Sequence, residues 1–372
     1  MNNELTYWYT LTFLRGITLR RKNVIFVNCF KLGYSVINLF DDSKIWDEIG
    51  LSEAEKDIIS SAQAELTRNA FAVENILSQG YEIIPFCSKE YPESLKKNLK
   101  LLSPTIIFIK GNKDLLATDT VAIVGSRNTD DVSLSFTTNV AHNCAAIGKT
   151  VVSGFAKGVD RMALDAALEA GGKSIIVLPQ GIATFSSGFR QYYQAILQGR
   201  VLVLSTFRPE MPWRVENAME RNAYIYGLAQ SIYVARSDSK GGTWEGVQSG
   251  IKRGCTIYVR HADSSEKCAN NILIQQGAKA VDQFGVELHE VNAAVQKQGR
   301  DLDDRIKNIL MQSVELSSKS VIESLHLDWT DAKMKKHLRS LSFVEEFKNK
   351  SGRIMFRCKG VSNPSLFDII NL

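Results

Sequence analysis

Between residues 120 and 260 the chain repeats one unit: a short apolar run, a glycine-bearing turn, then apolar residues at helical spacing. Thr120–Val124 runs into Gly125-Ser126-Arg127-Asn128, and Phe136, Val140, Cys144 and Ile147 then share one helical face as far as Gly148. Thr150–Val152 leads to Ser153-Gly154 and a helix over 158–170, closed by Gly171-Gly172. Ser174–Leu178, Val201–Leu204, Ser231–Ala235 and Thr256–Val259 continue the series, with helices expected around 189–197, 215–226 and 243–252. Strands that are apolar throughout need cover on both faces, and a helix after each returns the chain for another parallel strand. The pattern predicts an α/β fold with a doubly wound, mostly parallel, Rossmann-like sheet.

The flanks read differently. At roughly 100–200 residues per domain, 372 residues allow two or three domains. Residues 1–80 are expected to form a helical N-terminal domain. Within it, 51–77 carries Ile58, Ile59, Ala62, Leu66, Ala70 and Val73 at helical spacing, opened by a Ser52/Glu55 capping box and stopped by Gly80. The Rossmann-like core is expected over 81–295, with a further strand in the run TIIFIK at 105–110. Residues 300–360 suggest a C-terminal winged-helix-like domain, with helices at Arg305–Val314, Ser320–Leu325 and Thr330–Leu341, then strands Phe343-Val344 and Ile354–Arg357 paired across Asn349–Gly352. That segment holds 13 basic against 9 acidic residues, a net +4, which suits contact with DNA or with protein.

Composition excludes several classes. The 45 basic and 40 acidic residues leave a net charge of only +5, which by itself names no nucleic-acid partner. Six scattered cysteines, with no C-x-x-C, and five isolated histidines lack metal-ligand spacing, so no metal is expected. No apolar run approaches the ~18 residues that span a bilayer. The Met-Asn-Asn-Glu-Leu start lacks the basic and apolar regions of a signal peptide. The expectation is a cytoplasmic protein without a membrane partner.

In a doubly wound sheet, ligands bind beyond the carboxyl ends of the strands, so the residues following each strand carry the information. These are Gly125-Ser126-Arg127, Ser153-Gly154-Phe155-Ala156-Lys157-Gly158, Gln180-Gly181 and Lys240-Gly241-Gly242-Thr243. Glycine lets a ligand approach the backbone, a helix start offers free N–H groups, and Arg127 and Lys157 add full charges. Together they predict an anion site. No G-x-G-x-x-G follows Val124 and no acidic residue ends the second strand, which argues against a standard NAD site. A phosphate-loop nucleotidase lacks its G-x-x-x-x-G-K-[ST] run, and Ser126 and Ser153 lack the surroundings of a nucleophile. Asp160 reads as a complement to its helix dipole, leaving Glu245 as the one carboxylate beside a plausible phosphate loop.

These residues resemble the DNA-processing protein A family, also called Smf. The resemblance covers about 82–281: YPESL at 91–95, PTIIFIKGN at 104–112, VAIVGSRN at 121–128 and VVSGFAKGVDRMALDAALEAGGKSIIVLPQGI at 151–182. RNAYIYGLAQSIYV at 221–234 and NILIQQGAKAV at 271–281 follow in the family's order. The resemblance implies a non-enzymatic, cofactor-free protein that binds single-stranded DNA and assists RecA-dependent recombination, DNA uptake or natural transformation. It also implies a homodimer and a RecA-type partner. Phosphates would be held by Gly125, Ser126, Arg127, Ser153, Gly154, Lys157, Gly158, Arg221, Asn222 and the Lys240, Gly241, Gly242, Thr243 turn, with Phe185 and Phe189 as candidates for base stacking.

Three turns depart from the family pattern. IATFSSGF follows Gly181 where Tyr-Pro and an Asn are usual, Lys240–Glu245 replaces a Ser-Gly-Ser turn, and Arg260-His261 stands where Pro-Gly is expected. Gly241-Gly242-Thr243-Trp244-Glu245 echoes the loop of phosphoribohydrolase-like enzymes, so the alternative is a nucleotide-binding sensor or hydrolase.

Overall fold

A computed structural model describes residues 3–359 except 314 and 350. Val314, Lys350 and Gly360, which the expected C-terminal elements include, lie outside the described residues. The chain divides into two compact units, 3–288 and 289 onward.

The first unit is built on a nine-stranded sheet. Its strands are β1 (Glu82–Pro85), β2 (Ile106–Gly111), β3 (Thr120–Val124), β4 (Thr150–Ser153), β5 (Lys173–Val177), β6 (Val201–Ser205), β7 (Ser231–Val234), β8 (Thr256–Arg260) and β9 (Lys279–Val281). They lie in the order β1-β2-β6-β5-β4-β3-β7-β8-β9. From β6 to β9 every pairing is parallel, with Ala122 opposite Val152 on one side of β3 and Ile123 opposite Tyr233 on the other. β1 and β2 close the β6 edge through antiparallel pairings. Val201 to Leu204 are wholly buried, as runs covered on both faces require. The chain winds one way from β3 to β6 and the other way from β7 to β9. The strand order therefore reverses between β3 and β7, which opens a crevice at their carboxyl ends.

Five helices precede the sheet: Asn3–Phe13, Leu19–Lys31, Val36–Asp41, Glu53–Gln63 and Leu66–Ser78. Trp8 and Phe26 meet edge to face at 4.4 Å, and this apolar cluster continues into Phe108 of β2 and Val203 of β6. The Ser52/Glu55 capping box forms as the sequence predicts. The helical spacing over 51–77 is not one helix, however. The Glu65 N–H bonds back three residues to the Ala62 carbonyl, tightening the turn and re-aiming the next helix so that Asn69, Val73 and Ile76 are buried.

In the second unit a helix His289–Gln312 starts well before the Arg305 expected from sequence. Its first half buries no side chain; Ile306 and Leu310 are buried in the core, with Leu302 and Ile309 packed beside them, so the core-facing residues all lie in its second half. The helix runs through 295–300, and the compact units divide between Leu288 and His289. Helices Ser318–Ser324 and Asp331–Ser340 follow, the latter capped by Thr330, then an antiparallel hairpin of β10 (Val344–Lys348) and β11 (Ile354–Cys358). Val321, Met334, Leu338 and Phe356 fill its core.

Candidate nucleic-acid interface

Two glycine-bearing turns and one helix meet at the crevice. The turn after β3 supplies Gly125, Ser126 and Arg127; the turn after β7 supplies Lys240, Gly241, Gly242 and Thr243; the helix Val215–Leu228 supplies Arg221 and Asn222. They enclose a cleft of about 460 Å³, which brings nine of the sequence-predicted residues into one wall. Ser126 is fixed at the sheet end, its N–H donating to the Arg236 carbonyl at 2.9 Å and its hydroxyl to Asp238 at 3.3 Å. Asn222 donates to the Gly242 carbonyl at 3.4 Å and so ties the helix to the loop after β7.

The helices that start at this rim are open at their N-termini. Val159–Glu169 begins after Gly158 and Gly242–Lys252 after Gly241, and neither has a side-chain cap. By contrast, the helix Asp131–Ala146 is capped by the Asp130 carboxylate, which accepts from the Ser133 N–H at 2.8 Å. Uncapped first-turn N–H groups carry the positive end of the helix dipole and suit an anion. Gly158 has φ 89°, and a side chain there would press on the Ser126 and Arg127 carbonyls, so glycine is required where the two loops cross.

The cations sort into two kinds. Arg127, Lys157 and Lys240 are exposed, and among the described residues none of them forms an ion pair. Arg221 is only 3% exposed: it donates to the Val177 carbonyl at 2.8 Å and lies 4.0 Å from the Asp160 carboxylate, while its Nε has no partner. Burial holds the Arg221 guanidinium below its ordinary value, and Asp160 opposes that. Burial likewise pushes the Asp160 carboxyl up, against Arg221 and the N–H groups of Ala156 and Gly154. Arg221 is packed against the loop after β4 so closely that a Cβ on Gly154 would sit 1.6 Å from its Nη1.

Gly154 and Lys157 line a smaller pocket of about 270 Å³ beside the cleft, shared with Arg127 and Arg221. Lys157, Gly158 and Arg127 also border a shallow groove that includes Arg161, whose guanidinium stacks 3.7 Å from the centre of the Phe155 ring.

Two sequence expectations are corrected. Ser153 is wholly buried, and its hydroxyl donates to the Ile123 carbonyl at 2.7 Å; it fastens β4 to β3 instead of holding a phosphate. Phe185 is 4% exposed, enclosed edge-on by Phe155 and Phe189, and Phe189 packs toward Tyr81 and Lys110, so neither offers a free face for a base. Asp160 stands in the first turn of its helix, as its reading as a dipole complement expects, and it also lines the cleft beside Arg221. Glu245 is exposed on the first turn of its helix and does not line the cleft. Sequence reasoning passed over Trp213, an exposed aromatic with the Arg127 guanidinium 5.7 Å from its ring centre, and Tyr226, whose buried hydroxyl has no partner in the cleft wall. Trp213 sits in the irregular stretch after β6, where no periodicity marks it.

Residues 82–292, more than half of the chain, match the family described as DNA recombination-mediator protein A. DNA processing protein DprA of Streptococcus pneumoniae is 31% identical over 182 residues, covering 48% of this chain and 64% of that protein. The Bacillus subtilis DprA is 28% identical over 206 residues, 55% of this chain and 69% of its own length, and Protein Smf of Escherichia coli is 29% identical over 48% of each. The match thus spans less than two thirds of the Streptococcus pneumoniae relative. The crystal structure of that relative superposes with a TM-score of 0.59 at 24% identity, covering 76% of this chain and 95% of the other, which confirms the fold. This chain belongs to the DNA recombination-mediator protein A family.

Proposed function

We propose that this protein binds single-stranded DNA through its phosphates at the β3/β7 crevice and serves recombination or DNA uptake, without catalysing a reaction. The observation that carries this reading is that Arg127 and Lys240 line the cleft and Lys157 lines the adjoining pocket with Arg127, that among the described residues none of the three forms an ion pair, and that the helices beginning after Gly158 and Gly241 are uncapped. Arg127 grips a phosphate as a fork and the lysines act as point charges. Backbone N–H groups on glycine turns complete the cradle. Such contacts give affinity without reading sequence, which is what a protein coating arbitrary strands requires. Under this reading Gly125, Ser126, Gly154, Gly158, Asn222 and the Gly241-Gly242-Thr243 turn shape the cradle, and Arg221 supports it from below. A homodimer in the cytoplasm, acting with a RecA-type recombinase, and a winged-helix role for the C-terminal unit complete the proposal. The family description and the sequence resemblance support the recombination setting.

The test is oligo-dT binding by fluorescence anisotropy at low salt. Arg127→Ala and Lys157→Ala should each weaken affinity about five- to tenfold, the loss of one charged phosphate contact. Unchanged affinity in both variants contradicts the proposal.

A further inference from the structure

A second large cavity belongs to the helical N-terminal part of the first unit and shares no lining residue with the cleft or the pocket beside it. It holds about 650 Å³ among the helices Asn3–Phe13, Glu53–Gln63 and Leu66–Ser78, a volume in the range of small-ligand sites. Its lining combines apolar Phe13, Leu14 and Ile58 with three cations, Arg15, Arg68 and Arg208.

The arginines are not equivalent. Arg68 is taken up by Glu65 at 2.8 Å, an exposed bridge within one helix. Arg15 is exposed and Arg208 half-buried, and among the described residues neither forms an ion pair. Arg208 lies over the Phe13 ring, its guanidinium 4.5 Å from the ring centre, and donates to the Phe13 carbonyl at 3.4 Å. The loop that carries it is fixed: the Ala183 N–H donates to the Pro209 carbonyl at 3.0 Å, and a Cβ on Gly181 would collide with the Arg208 and Pro209 carbonyls. Asp57 lines the cavity and Glu210 shares the Arg208 loop, both exposed and neither paired with Arg208.

Lys22 adds a further cation without a carboxylate. It is 6% exposed, and its ammonium donates to the Thr12 and Leu14 carbonyls at 2.6 and 2.7 Å. Burial, and after it the neighbouring Arg208 charge, holds that ammonium down at about 8. Buried cations are ordinarily matched by an anion. Here an ammonium and a guanidinium lie close enough to repel, and an anion in the cavity that Arg208 lines would offset both.

We propose that this cavity binds a nucleoside phosphate, with Arg208 and Arg15 on the phosphate and Phe13, Leu14 and Ile58 against the sugar and base. A bare phosphate would use only the arginines and leave the apolar lining in water; a neutral nucleoside would leave the cations unmatched. The planar fork of Arg meets two phosphate oxygens at once. The site is independent of the strand-binding reading above.

Calorimetric titration of the full chain at low salt with ADP, GDP, CDP and UDP, with the matching nucleosides and with pyrophosphate, tests this. At least one diphosphate should bind, about tenfold tighter than its nucleoside, the order of one charge-assisted contact, and about tenfold tighter than pyrophosphate, which leaves the apolar lining unused. Arg208→Gln, which keeps a donor for the Phe13 carbonyl, and Arg15→Ala, on an exposed bend, should each weaken that diphosphate about tenfold and leave oligo-dT affinity at the wild-type value. Saturating oligo-dT should leave diphosphate binding in place. Failure of every diphosphate to bind, equal affinity for pyrophosphate, binding that survives both substitutions, or displacement by oligo-dT each overturns the proposal.

Discussion

Gly154 and Arg221 share a volume that only a glycine leaves open. Because a Cβ at 154 would overlap the Arg221 guanidinium, Gly154→Ala must either push Arg221 from its bond to the Val177 carbonyl or shift β4. The expected cost is about 1–3 kcal/mol, read as a lower denaturation midpoint, together with weaker oligo-dT binding. An unaltered midpoint would show that Arg221 is not locked there. At this scale the sequence was informative about backbone and poor about direction. Glycines and cations after the strands identify the rim, because turn chemistry and charge are local. Whether a residue at a strand end points to the crevice or to the sheet depends on neighbours far along the chain. Ser153 turns inward to Ile123 and Phe185 into an aromatic cluster, while Trp213 turns outward with no local sign of it.

Among the elements, the parallel strands from β3 to β8 were legible almost residue by residue, because continuous burial makes each an apolar run, whereas the three-residue edge strand β9 was too short to show one. Helix ends were less so. The polar start of His289–Gln312 has no buried face to betray it, and the break at Ala64-Glu65 lacks the glycine or proline that usually marks one. One contact between helices makes a sharp prediction. The Arg21 guanidinium, 2.6 Å from Glu55, holds that carboxyl down at about 2. A carboxylate whose folded value lies below its unfolded one adds stability that is complete above the unfolded value, near pH 4.5, and lost as the pH falls toward about 2. Thermal melts should therefore show the wild type losing more stability than Glu55→Gln between pH 5 and about 2. Parallel losses in the two proteins would remove Glu55 as a source of acid sensitivity.

For the whole molecule, a net charge of +5 understates what the surface offers a polyanion. Much of the charge is tied up: in the C-terminal unit Lys335 pairs with Asp331 at 2.7 Å, Arg339 with Glu346 at 2.6 Å and Arg357 with Glu345 at 2.9 Å. Among the described residues Arg127, Lys157 and Lys240 form no ion pair, the first and last at the crevice where the strand order reverses and Lys157 in the adjoining pocket, so placement outweighs the total. Composition alone could not show this, because pairing is a property of the folded chain. The central claim, that these three side chains hold backbone phosphates, is tested most directly by the salt dependence of oligo-dT binding. Each phosphate neutralised on a single strand contributes about 0.7 to the slope of log K against log salt concentration. The slope for an Arg127→Ala, Lys157→Ala, Lys240→Ala triple variant should be shallower than that of the wild type by about 2. A slope equal to that of the wild type would contradict the account.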